Sequence, residues 1–87
     1  MKVHLSPRQM EVVRLVSLGC STGEIAKILK IARSTADNHR AAAMRNFGTD
    51  KSSLLARLAI KHKITKIDDK LTPTEKRRSG RKNDGWN

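Results

Sequence analysis

Arg33, Ser34, Asp37, Asn38 and Ala41 fall within one stretch, Arg33–Phe47, at the spacing of a single helical face. The chemistry such residues support is non-covalent recognition of base edges. Near a helix N-terminus, Arg33 can reach guanine or phosphate. Asn38 can pair bidentately with adenine N6 and N7, Asp37 can accept from cytosine N4, and Ala41 can touch a thymine methyl. Ser34 adds a small hydroxyl. Arg45 continues this face, which carries no long apolar side chain and so suits insertion into a groove. Ala36, Ala43, Met44 and Phe47 fall where they can turn inward.

A second group of residues suits phosphate. Ser21, Thr22 and Thr35 have hydroxyls at or near predicted helix N-termini, where backbone N–H groups favour an anion. Ser21 also serves as a cap, and capping competes with contact to a phosphate. Lys27, Lys30, Arg40 and Arg45 are candidate phosphate contacts, and each has the plainer reading of a solvated surface charge. His39 is expected to pack between helices. His4, His39 and His62 match no metal-ligand spacing. No acid–base pair, activated nucleophile or phosphate-cradling glycine loop occurs, so neither enzymatic activity nor a cofactor is expected, and no small-molecule ligand is evident.

Composition narrows the partner. Nineteen Lys and Arg against eight Asp and Glu leave a formal charge of +11 on 87 residues. That imbalance implies a polyanion, either nucleic acid or an anionic surface. One Trp and one Phe, with no Tyr, argue against single-strand or RNA binding, which uses stacked aromatics. The single Cys20 excludes an internal disulfide and paired-cysteine zinc sites, and reads as a small buried apolar group. No apolar run reaches membrane-spanning length, and no signal peptide is visible. A chain this short buries only about 60% of its unfolded surface and gains much from a partner.

The elements that must position these residues are legible as helices. Ser6, Pro7 and Gln9 make a capping box with proline at the first helical position, Leu5 and Met10 can staple it, and Gly19 ends the helix. Ser21 and Glu24 open a second helix, Thr22–Leu29, stapled by Cys20 and Ile25. Lys30 and Ile31 make a tight turn, with Ile31 plugging the core, and the Arg33–Phe47 helix follows and ends at Gly48. Two short helices, the second polar on its outside, form the helix-turn-helix pattern. Asp50 is the expected cap of a fourth helix, Lys51 to about His62, whose Leu55, Leu58, Ala59 and His62 share a face, with Leu55, Leu58 and Ala59 closing the core. Leu54 lies off that stripe. Leu54, Leu58 and Lys61 are candidate contacts of a homodimer. After Lys63 the periodicity fades. Thr72-Pro73-Thr74-Glu75 can start one more turn before Ser79 and Gly80 interrupt it. Residues 70–87 hold six basic and two acidic groups, so 67–87 is expected to be a basic, flexible tail that either supplements phosphate binding or is simply solvated.

These residues resemble the LuxR-type helix-turn-helix domain, also called GerE- or NarL-type, over Leu5 to Ile64. Leu5-Ser6-Pro7-Arg8-Gln9 is similar to its opening, and Gly19-Cys20-Ser21 with Glu24-Ile25-Ala26 to its glycine turn and scaffold helix. Ile31, Ser34-Thr35 and Asn38-His39-Arg40 stand at its turn isoleucine and threonine-valine-lysine-x-histidine segment. Phe47-Gly48 replaces its leucine-glycine, and Leu55 through His62, then Ile64, follow its last helix. The resemblance implies an all-α, four-helix bundle over residues 1–66. It also implies a third helix in the major groove of double-stranded DNA and a fourth helix that pairs subunits. Many members carry a receiver or ligand-binding domain in front, and this chain is similar to short stand-alone ones. Three departures stand out: Asp37 for a DNA-contacting lysine, Ala32 for a serine cap, and Ala36 for a core valine. Asp37 can shift sequence preference, weaken DNA binding, or pair with Arg33 or Arg40 at helical spacing.

The expectation is a sequence-specific, homodimeric transcription regulator, cytoplasmic and nucleoid-associated, of bacterial or phage type. RNA polymerase or another regulator is a further candidate partner. Two alternatives remain at this point: a non-specific architectural DNA binder, or an interaction module that inhibits a related regulator.

Overall fold

The computed structural model describes residues 4–82, and among these every regular element is helical. Helix α1 spans Pro7–Ser17, α2 Thr22–Leu29 and α3 Arg33–Phe47. A short 3-10 turn, Ser52–Leu54, leads into α4, Leu55–Lys61, and α5 covers Pro73–Ser79.

Local sequence explains where the helices begin. The Ser6 hydroxyl accepts from the Gln9 N–H while the Gln9 side chain accepts from the Ser6 N–H, and Ser21 and Glu24 repeat the exchange. Each box satisfies orphan donors at a helix N-terminus. Gly19 adopts φ 84° after α1. There the Cys20 N–H reaches the Leu15 carbonyl and the Gly19 N–H the Val16 carbonyl, a Schellman closure. The α2–α3 turn has no glycine to do this. Lys30 itself takes the left-handed conformation, φ 56°, and the Ile31 N–H bonds to the Ala26 carbonyl.

The core has two parts. One gathers Val12, Leu15, Leu18, Cys20, Ile25, Ile28, Ala36 and Leu71, with Ile31 half-buried against it. The other joins Val13 and Ala43 to Leu55 and Ala59, flanked by Leu5, Met44, Phe47 and Ile64. Val16 packs against both and links them. Helix α1 is thus the central element, touching α2, α3 and α4.

Three expectations are corrected here. The fourth helix is not continuous from Lys51 to His62. It begins as a 3-10 turn and becomes α-helical only at Leu55, and Asp50 does not cap it. Instead the Thr49 hydroxyl accepts from the Lys51 N–H. Leu58 is only half-buried while Leu55 and Ala59 are sealed, so Leu58 sits at the border of the core rather than in it. His62 is exposed, although its ring lies 5.4 Å from that of Phe47.

The third correction concerns the expected tail. Within the described residues, 67–82 is packed onto α1 and α2 and contributes a fifth helix. Leu71 is 2% exposed. The Thr72–Glu75 capping box is complete, and Gly80 closes α5 at φ 78°. Arg14 of α1 fastens this segment. Its Nε donates to Asp69 Oδ2 at 2.8 Å, its Nη1 to Glu75 Oε2 at 2.7 Å, and its Nη2 to the Lys70 carbonyl at 3.0 Å. Partial burial pushes the Asp69 carboxyl up, but hydrogen bonds from Arg14 and Thr65 outweigh it and hold that group below the usual carboxylate range. Periodicity failed to announce α5 because its anchors are one leucine and a polar fork, not an apolar stripe. Trp86 lies outside the described residues.

Two outcomes follow. Leu71→Ala is expected to lower unfolding free energy by about 2–5 kcal/mol in urea titrations, the range for a sealed leucine; a loose tail would give no change. Ala32 holds the extended N-cap conformation, φ −65° and ψ 149°, without a side-chain bond. Ala32→Ser should therefore stabilise the domain by about 0.5–2 kcal/mol, read from the same titrations.

Candidate nucleic-acid interface

Helix α3 is seated by its smallest residues. Ala36 is 1% exposed and Ala43 fully buried, so the helix backbone lies close over α1 and α2. Asn46 adds a polar tether, its Nδ2 donating to Gln9 Oε1 at 3.2 Å. Because Gln9 is already part of the α1 cap, one side chain ties the start of α1 to the end of α3. Sequence reading missed this tether, since nothing local pairs two residues 37 positions apart.

With Ala36 and Ala43 turned inward, helical periodicity presents Arg33, Ser34, Asp37, Asn38, Ala41 and Arg45 together, and all six are exposed. The structure thus brings the whole expected base-side set onto one surface. Asp37 is drawn sideways: its Oδ1 lies 3.4 Å from Arg40 Nη2, in an exposed pair three residues apart. Such a pair contributes only a few tenths of a kcal/mol, so a stronger partner can displace it.

The expected phosphate-side residues are arranged unevenly. Lys27, Lys30 and Arg45 are exposed, whereas Thr22, Thr35 and Arg40 are half-buried. Ser21 is committed to its cap: its hydroxyl accepts from the Glu24 N–H at 3.2 Å and its own N–H donates to Glu24 Oε1 at 2.8 Å. Of its two readings, cap and phosphate contact, the cap thus takes both its hydroxyl and its amide. His39 is half-buried. Among the described residues no group of three His, Cys, Asp or Glu is placed to hold a metal ion.

Leu54, Arg57, Leu58 and Lys61 line a shallow depression on the outside of α4. This brings the three candidate dimer residues together and adds Arg57, which sequence reading did not single out.

Charge is sorted as well. Glu11, Glu24, Asp37, Asp69 and Glu75 are each paired with an arginine. Among the described residues none of these pairs involves Arg33, Lys27, Lys30 or Arg45. All four are exposed, on α2, α3 and the turn between them. Among the described residues no helix is long and apolar enough to cross a membrane.

The chain is 43% identical over 60 residues to the transcriptional activator protein BjaR1 of Bradyrhizobium diazoefficiens, an alignment covering 69% of this chain and 25% of that protein. The chain therefore spans only about a quarter of the length of that relative. No solved structure matches. The family model for bacterial regulatory proteins of the luxR family matches residues 3–59, which takes in α1, α2, α3 and most of α4. By that match this helix-turn-helix chain belongs to the luxR family of bacterial regulatory proteins.

Proposed function

We propose that this domain regulates transcription by binding double-stranded DNA in a sequence-specific way, with α3 inserted in the major groove. The observation that carries the reading is the exposed face of α3, where Arg33, Ser34, Asp37, Asn38 and Ala41 stand together without a long apolar side chain. A B-form major groove admits one helix, and side chains of these kinds match donors, acceptors and methyl groups on base edges. Arg33 serves guanine or the adjoining phosphate, Asn38 adenine, and Ala41 a thymine methyl. Asp37 leaves its weak pair with Arg40 to accept from cytosine N4, which frees Arg40 for the backbone. Lys27, Lys30 and Arg45 supply phosphate contacts, with Thr22 and Thr35 beside them.

The domain works as a homodimer through Leu54, Leu58 and Lys61 of α4, with Arg57 at the edge of the contact. Two copies related by a two-fold axis then read inverted half-sites. A regulator of this kind acts on the nucleoid, in the cytoplasm. The relative BjaR1 is a transcriptional activator by name; activation is one of the two directions open to this chain.

Selection of bound sites from a random duplex library tests the reading. An inverted repeat should emerge, and binding to it should persist against excess random DNA. Recovery of no preferred sequence would leave a non-specific binder. Absence of binding even at low salt, with copurification of another regulator, would instead favour an interaction module. Asp37→Lys is expected to change the selected sequence as well as the affinity. A uniform gain across all sequences would mean that Asp37 acts only through its charge.

A further inference from the structure

Helix α5 lies beyond the stretch matched by the family model, and its position bears on the interface. Glu24 and Ile28 are four residues apart and share one face of α2. Arg81, just after α5, reaches Glu24, with Nε 3.4 Å from Oε2. Arg78 Nη1 donates to the Ile28 carbonyl at 3.0 Å. Helix α2 therefore packs against both α3 and α5, and no comparable packing joins α3 to α5. The exposed Lys27 and Lys30 belong to the helix, and the turn, that separate the two.

The Arg78 contact is specific in its chemistry. The Ile28 carbonyl belongs to the last turn of α2, where backbone acceptors lack helical partners and carry partial negative charge. The guanidinium satisfies one of them, which fixes a cation beside the helix-turn-helix turn. Arg78 nevertheless remains exposed, so donors of its five-donor fork are left for a phosphate. Arg77 is also exposed, and its guanidinium touches only the Thr74 hydroxyl, at 3.5 Å. The carboxylates nearest to this flank are already bound, Asp69 and Glu75 by Arg14 and Glu24 by Arg81. Among the described residues no carboxylate pairs with Arg77 or Arg78.

We propose that α5 carries additional phosphate contacts, Arg77 and Arg78, beyond those of Lys27 and Lys30 on the helix it packs against, and that these lengthen the footprint of the domain along the duplex backbone. The inference rests on the major-groove reading of α3. It gives the C-terminal segment a fixed binding role: the helix is packed and Arg78 is held in place before DNA arrives, so little conformational freedom of that helix is lost on binding.

The experiment uses the full chain and two duplexes that share the selected site, one ending at the α3 contacts and one extended on both sides. On the long duplex, Arg77→Gln with Arg78→Gln should make the log–log salt slope shallower by roughly 0.9 for each phosphate no longer neutralised, with binding weakened alike for every sequence. On the short duplex the variant and the wild type should bind equally. Arg77→Lys with Arg78→Lys should restore most of the slope. Arg77→Gln alone, which leaves the Ile28 contact intact, keeps the test valid if the double variant loses α5, and should still lower the slope by roughly 0.9 for each protomer bound. An unchanged slope on the long duplex, or the same reduction on both lengths, would overturn the proposal while leaving the α3 reading standing. A wild-type chain that binds neither duplex at low salt would overturn both.

Discussion

Helix α3 offers almost nothing to the core but alanine. Ala36 and Ala43 are its sealed residues, with Met44 and Phe47 half-covered beside them. Small inner residues allow close approach to α1 and α2 but bury little apolar area, and burial is the main source of helix stability in a protein. Ala32 withholds the usual cap as well. The remainder of the structure can be understood as compensation for a recognition helix that contributes so little to its own placement.

The compensation comes from α1 and α2. Both begin in complete capping boxes, and their Val, Leu and Ile residues supply four of the six largest fully buried side chains. Helix α1 carries apolar residues to two clusters at once and also holds the Asn46 tether through Gln9. The C-terminal segment completes the first cluster with Leu71 and locks it with the Arg14 fork. That fork is partly buried, with both carboxylates also engaged by their own neighbours: Thr65 donates to Asp69, and Glu75 caps α5. A charged cluster of this kind gives geometry more than raw stability.

The same pairing shapes function. A chain with this excess of Lys and Arg has few carboxylates, and three of the seven described, Glu24, Asp69 and Glu75, are spent on arginines that serve the scaffold. Lys27, Lys30, Arg33 and Arg45 are left for the outside. These exposed cations lie on and beside α3, where on the proposed reading they steer a polyanion toward the groove-reading face.

Much of this was legible in the residues alone. Ser6–Gln9, Ser21–Glu24 and Gly48 are local signals, decided by neighbours within one turn, and they set the starts of α1 and α2 and the end of α3. The outward face of α3 follows from period alone once Ala36 and Ala43 turn inward. What the sequence could not decide were choices between competing partners. Thr49 rather than Asp50 accepts the Lys51 N–H, Lys30 takes the left-handed position without a glycine, and Glu24 absorbs the Ser21 amide. Asn46 finds Gln9 and Arg14 finds Asp69 and Glu75 across separations of 37, 55 and 61 residues. Capping and periodicity act over a few residues and are written in the order of the chain, so the sequence determined the helix-turn-helix by itself. A buried leucine and a guanidinium that satisfies two carboxylates depend on what is near in space, so only the tertiary structure could turn an expected basic tail into a fifth helix.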